Sequence, residues 1–107
     1  MINYQLRKQI FDLLTEDYYG LWELTGLAEA PPIDELIHVL DGMIEERMVE
    51  IYIGSKFASE ERILGEDEAR RAIQNRAYWD WAAPEKGEHL RAFATRSGAD
   101  WYFGQPP

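Results

Sequence analysis

The stretch from Ile33 to Ile53, IDELIHVLDGMIEERMVEIYI, constrains the fold more than any other part of the chain. Ile33, Leu36, Ile37, Leu40, Met43 and Ile44 recur at i, i+3, i+4 and i+7, the period of an amphipathic helix. At Val49 the period changes to two, placing Val49, Ile51 and Ile53 on one face of a strand. The pattern therefore predicts a helix over Ile33–Met48 that runs into a strand over Val49–Ile53. The polar face of that helix is unusual in charge, with five acids (Asp34, Glu35, Asp41, Glu45 and Glu46) against one base, Arg47.

The elements around it follow from the same reasoning. Leu6, Ile10, Leu13 and Leu14 define the buried stripe of a first helix, Tyr4–Glu16, with Asn3 as N-cap and Tyr18-Tyr19-Gly20 as its end. A short helix follows at Leu21–Ala28, with Leu21, Trp22, Leu24 and Leu27 available to the core. Ala30-Pro31-Pro32 is a turn, because proline disfavours the helical region at the residue before it. A second strand is expected at His89–Thr95, where Leu90, Ala92 and Ala94 alternate with His89, Arg91 and Phe93. Paired antiparallel, the two strands form a hairpin interrupted by an insertion, Gly54–Gly87. A structureless loop of that length is rare in a compact domain, and Glu66–Tyr78 reads as a helix with acids at its start and Arg70, Arg71 and Arg76 later, matching the helix dipole. Ala69, Ala72, Ile73 and Ala77 give that helix its apolar face. Pro84–Gly87 is a turn, Ala99–Phe103 a last short helix capped by Thr95 or Ser97, and residues 104–107 a tail.

One domain over residues 1–107 accommodates these elements, an α+β fold weighted towards helix, with enough apolar sequence to bury a core. Cysteine is absent, so neither disulfides nor thiolate metal sites arise. No leader and no apolar run long enough to cross a bilayer is visible, and a soluble cytoplasmic protein is expected. Eleven bases against twenty acids give a net charge of −9. Residues 33–54 hold one base and six acids, whereas residues 88–107 hold two of each. A field of this sign repels phosphates, and duplex DNA binding depends on neutralising them.

LWELTGLA (21–28), the Ile33–Ile53 segment and ATRSGADWY (94–102), with its Thr95-x-x-Gly98 corner, together resemble the winged helix-turn-helix families of bacterial transcription regulators. The resemblance implies a three-helix core and a two-stranded wing, with an inserted helix between the wing strands. It covers about half the chain and lies at the level of the superfamily. In DNA-binding members the third helix offers basic and amide side chains to the major groove. Here the corresponding face offers Asp34, Glu35, His38, Asp41, Glu45 and Glu46, so no base-reading residue carries over.

No nucleophile elbow, HExxH, P-loop or GxGxxG occurs, and neither an enzyme nor a cofactor is expected. Asp34, His38 and Asp41 share one helical face and form the one conceivable metal cluster, but surface clusters of this kind are usually solvated charge and no metal site is expected. Aromatics crowd the C-terminal third. One reading closes the core with Trp79, Phe93 and Trp101. Another exposes a patch for a partner, since Trp, Tyr and Arg dominate binding hot spots. A third stacks single-stranded bases on the rings, which requires a basic groove around them.

Two functions follow. In the first, the chain is a non-catalytic interaction module that binds a protein partner or a second copy of itself. Its contacts are Asp34, Glu35, His38, Asp41 and Glu45 of the acidic helix, with Trp79, Trp81 and Trp101 as aromatic anchors; a homodimer is expected under this function and the next alike. In the second, it is a DNA-binding regulator that acts through Arg70, Arg71 and Arg76 of the insertion and Arg91 and Arg96 of the wing. The charge of the third helix favours the first.

Overall fold

The computed structural model describes residues 3–27, 30–55 and 61–105. The elements run α1 (Tyr4–Leu14), β1 (Tyr19–Gly20), α2 (Leu21–Leu24), α3 (Ile33–Glu45), β2 (Val49–Ser55), β3 (Arg62–Ile63), α4 (Glu66–Ala72), β4 (Glu88–Ala94) and α5 (Arg96–Phe103), with 3-10 turns at Arg76–Trp79 and Ala83–Lys86. The strands form one antiparallel sheet in the order β1-β4-β2-β3. The fold is therefore α+β, with the helices α1 and α3 and the sheet enclosing the core.

Asn3 opens α1 as expected, its side-chain oxygen accepting from the Leu6 N–H at 2.9 Å. Leu6, Ile10 and Leu14 are buried, and Phe11 joins them in place of the half-buried Leu13. The helix stops at Leu14, two residues earlier than its sequence suggests. Tyr19 and Gly20, expected to do no more than end it, instead extend and pair with Ala92 and Arg91. Closing the edge of β4 overrides the local helix signal.

Leu36, Ile37, Val39, Leu40, Met43 and Ile44 form the buried face of α3. This helix ends at Glu45 rather than Met48. Arg47 adopts a left-handed φ of 60°, the Arg47 N–H donates to the Ile44 carbonyl, and the Met48 N–H reaches back to the Met43 carbonyl at 2.9 Å. These two bonds make a Schellman cap with arginine at the position usually held by glycine. The sequence lacks the glycine that signals such a stop.

β2 and β4 pair over their whole length, from Val49 opposite Ala94 to Ser55 opposite Glu88, so Gly54-Ser55 continues the strand it was expected to end. Val49, Ile51, Leu90, Ala92 and Ala94 are buried, as the alternation predicts. Thr95 then locks the C-terminal corner. Its N–H donates to the Met48 carbonyl at 3.0 Å, its hydroxyl donates to the Arg47 carbonyl at 2.8 Å, and its Oγ1 accepts from the Gly98 N–H at 3.1 Å. Thr95 rather than Ser97 is thus the cap, and α5 starts at Arg96, three residues before the expected Ala99.

The insertion contributes more than the expected helix. Arg62 and Ile63 add a strand on the far side of β2, opposite Ile53 and Tyr52. The helix itself is seven residues long, Glu66–Ala72, instead of extending to Tyr78. Beyond it Asn75 caps a 3-10 turn, and Trp79 folds back to donate its indole N–H to the Ile73 carbonyl at 2.9 Å. That bond satisfies an acceptor left open at a helix end while burying one of the insertion's two tryptophans. Ala69 and Ile73 are buried, but Ala77 is exposed because the helix has already ended.

α1 and α5 meet over a cluster of rings. Trp101 lies 5.6 Å from Phe11 and 6.4 Å from Tyr4 between ring centroids. Arg7, only 2% exposed, sits among them: its guanidinium lies 5.6 Å from the Trp101 ring and 5.9 Å from Tyr4, and it pairs with Glu46 at 2.6 Å. A buried guanidinium needs such a partner. Arg7 lies on the same stripe as Ile10, Phe11 and Leu14 (i+3, i+4 and i+7), and its charge, not its spacing, conceals that it points inward.

Candidate interaction surface

Three surfaces hold the residues singled out by sequence. The first is the polar face of α3. Arg70 of α4 donates from Nε and Nη2 to the two oxygens of Asp41 at 2.9 and 3.1 Å and lies 3.4 Å from Glu45. Asp41, first by hydrogen bonding, holds the Arg70 pKa above its ordinary value. Arg76 pairs with Asp34, Glu35 accepts from the Asn3 side chain at 2.5 Å, and Glu46 holds Arg7. His38 stays exposed. Most of the acidic face is therefore engaged within the chain, three of its carboxylates (Asp34, Asp41 and Glu45) by the inserted segment. Asp34, His38 and Asp41 do not assemble as ligands, and no group of three His, Asp or Glu able to hold a metal occurs among the described residues.

The second surface is a cleft of about 860 Å³ between β2, the start of α4 and the start of α5. Arg71 and Arg96 line it together with Arg47, but Glu50, Glu66, Asp67 and Glu68 line it too. Arg91 is not among its residues. The five arginines considered as DNA contacts thus do not form one basic patch: Arg70 and Arg76 are paired to α3, Arg71 and Arg96 share a cleft with acids, and Arg91 belongs to the sheet.

The third surface is the sheet's outer face. Register places Tyr52, Arg91 and Ile63 in one cross-strand row, with Gly20 at its β1 end. One end of the face is closed by Trp22, whose ring lies where a Cβ on Gly20 would be and stands edge-on to His89 at 5.8 Å. His89 is accordingly buried, against the outward position its alternation predicts, and neither ring nitrogen has a hydrogen-bond partner among the described residues. Burial, and then the Arg91 charge, lower its pKa, with Glu61 opposing. Among the described residues the rest of the face is open, with Tyr18, Ile63 and Phe93 exposed. Phe93, a candidate for the core, is instead exposed there, because the in-register partner of Glu50 must face outward. Tyr52 lies 6.2 Å from Phe93 and 6.4 Å from Tyr18, with ring planes at 71° and 65°. The Arg91 guanidinium sits 4.9 Å from the Tyr18 ring centre.

The tryptophans divide as burial dictates. Trp79 is core, Trp101 is half-buried against α1, and Trp81 is 76% exposed between the two 3-10 turns. Phe103, 71% exposed, and Tyr4 extend the apolar surface near Trp101. Sequence reasoning missed Tyr18, Tyr52 and Glu61. Tyr52 was legible as the outward residue between Ile51 and Ile53; Tyr18 joins it only because β1 exists.

Comparison with models of known protein families, with curated proteins and with solved structures finds no match. Among the described residues no helix is long and apolar enough to cross a membrane.

Proposed function

We propose that this chain is a non-catalytic interaction module of winged-helix build that binds a protein partner or a second copy of itself. The order α1-β1-α2-α3-β2-β4, with β4 between β1 and β2, supports the winged-helix reading, and the Thr95-Gly98 corner fits it. The observation that carries the functional reading is the seating of the insertion on α3. Arg70 and Arg76 engage Asp41, Glu45 and Asp34, on the face a DNA-binding member would present to the groove. The same contacts withdraw two of the arginines on which a DNA-binding role would depend, and they leave exposed rings (Trp81, Phe103, Tyr4, Phe93) as the prominent apolar surface. Such side chains are the usual anchors of protein interfaces. The acidic helix, in this reading, seats the insertion more than it meets a partner.

A fluorescent duplex titrated at low salt tests the proposal. No binding tighter than about micromolar is expected; tighter binding with a steep salt slope overturns it. Sedimentation at two concentrations then separates a second copy from a different partner.

A further inference from the structure

Tyr18, Tyr52, Phe93 and Glu61 line a notch of about 270 Å³ on the open part of the sheet. We propose that this notch receives the methylated ammonium head of a lysine side chain carried by the protein partner. The inference deepens the interaction-module reading and rests on it.

Tyr52 forms the middle of three ring walls, and its neighbours Tyr18 and Phe93 stand at steep angles to it. Ring faces carry negative potential and attract alkylammonium ions when water is excluded. The fourth wall, Glu61, adds a formal negative charge, and Glu50 lies opposite Phe93 on the same face. Both raise the Tyr52 pKa, after burial, as negative charges beside a phenol do. One cation is already held this way: the Arg91 guanidinium lies 4.9 Å from the Tyr18 ring centre and 3.9 Å from Glu61. Two acids against that one base leave the face negative.

The chemistry also selects the methylated form. An unmodified ammonium is strongly hydrated and carries three N–H donors, and the walls offer it the Glu61 carboxylate and, at the ring edges, the phenol oxygens of Tyr18 and Tyr52. Stripping its water there exchanges strong hydration for these few acceptors. Methylation removes donors, keeps the charge and spreads it over carbon that packs against the rings. The notch is open on one side, so a small free ion gains too little enclosure. A lysine stem can lie along the rim, where Ile63, 51% exposed, sits beside Tyr52 in the register.

The test is an amide and methyl NMR titration of the full chain with a short neutral peptide centred on trimethyl-lysine. Matched peptides carry unmodified lysine or an uncharged isostere with carbon in place of nitrogen, and tetramethylammonium serves as the free ion. Expected are shifts at Tyr18, Tyr52, Ile63 and Phe93, and binding of the trimethyl-lysine peptide at least tenfold tighter than that of either matched peptide. Phe93→Leu and Glu61→Gln, both at solvent-accessible positions, should each weaken it several-fold while leaving the spectrum folded. Equal binding of the uncharged isostere, equal binding of unmodified lysine, tetramethylammonium binding as tightly as the peptide, or no binding at millimolar peptide each overturns the inference. These outcomes leave the interaction-module reading intact, since that reading falls only on tight duplex binding.

Discussion

Gly98 sits at the third position of α5, where two opposing effects can be weighed. Alanine is the better helix former by about 1 kcal/mol, so propensity alone predicts that Gly98→Ala stabilises. The packing predicts the reverse. A Cβ at Gly98 would lie 2.1 Å from the Met48 carbonyl oxygen and 2.9 Å from Phe11 Cε1. That is more than about 1 Å inside the closest ordinary carbon–oxygen approach of ~3.3 Å. The obstacle is backbone, so α5 must retreat, yet that same carbonyl accepts the Thr95 N–H and its neighbour accepts the Thr95 hydroxyl. Overpacking costs roughly 1–3 kcal/mol, and each weakened hydrogen bond adds about 1 kcal/mol. After subtracting the propensity gain, a net loss of about 2–4 kcal/mol is expected. Urea unfolding followed by tryptophan fluorescence reads this as a midpoint lowered by on the order of 2 M with an unchanged slope. Gly26→Ala, whose Cβ would meet only the Glu23 carbonyl oxygen at 3.5 Å, is the control and should change stability by less than about 0.5 kcal/mol. A Gly98→Ala protein as stable as the parent refutes the reasoning, because propensity would then have won.

Arg47→Gly should stabilise the protein by about 0.5–1 kcal/mol, since a left-handed φ penalises every side chain with a Cβ and the Arg47 side chain is largely in solvent; a lower urea midpoint would show that its backbone is not strained. His89 makes stability depend on pH. Its native pKa lies below the unfolded value because burial disfavours the charged ring, so its contribution is complete above about pH 6.5 and is lost as pH falls through the lowered native pKa, with a slope of at most about 1.4 kcal/mol per pH unit. The urea midpoint of the parent should fall more between pH 7 and pH 5 than that of His89→Gln, and parallel falls would assign the dependence to other groups.

The sequence made the central helix and both long strands legible because their apolar periods are strong and unbroken. It misplaced the ends where a tertiary contact decides. α3 stops at an arginine cap that no glycine announces, and α4 stops where Trp79 turns back to a carbonyl. The two short strands carry too few residues to show a period at all. The acids of α3 were visible, but their destination was not: Asp41 and Arg70 are 29 residues apart, and nothing local in either segment says they meet. The same limit hid the notch. Tyr52 and Phe93 each read as outward, yet only the β2–β4 register and the unforeseen β1 bring them to one place beside Tyr18.

Those arginine contacts alter what the net charge of −9 means for recognition. A segment with one base and six acids at residues 33–54 suggests attraction to any basic surface, but pairs such as Arg70 with Asp41 and Arg76 with Asp34 shorten the range of that field. Separating the insertion from α3 to offer the acids to a partner would trade one set of ion pairs for another, at the further cost of exposing Ala69, Ile73 and Trp79, all buried. Exchange of surface ion pairs gains little free energy, whereas uncovering apolar side chains of that size costs several kcal/mol, at about 1.5–3 kcal/mol for each large one. On the proposed interaction-module reading, a partner is therefore expected at the surfaces the insertion leaves uncovered, the aromatic sheet face and the rings near α5, where burial and local cation–ring contacts, and not the charge of α3, would drive association.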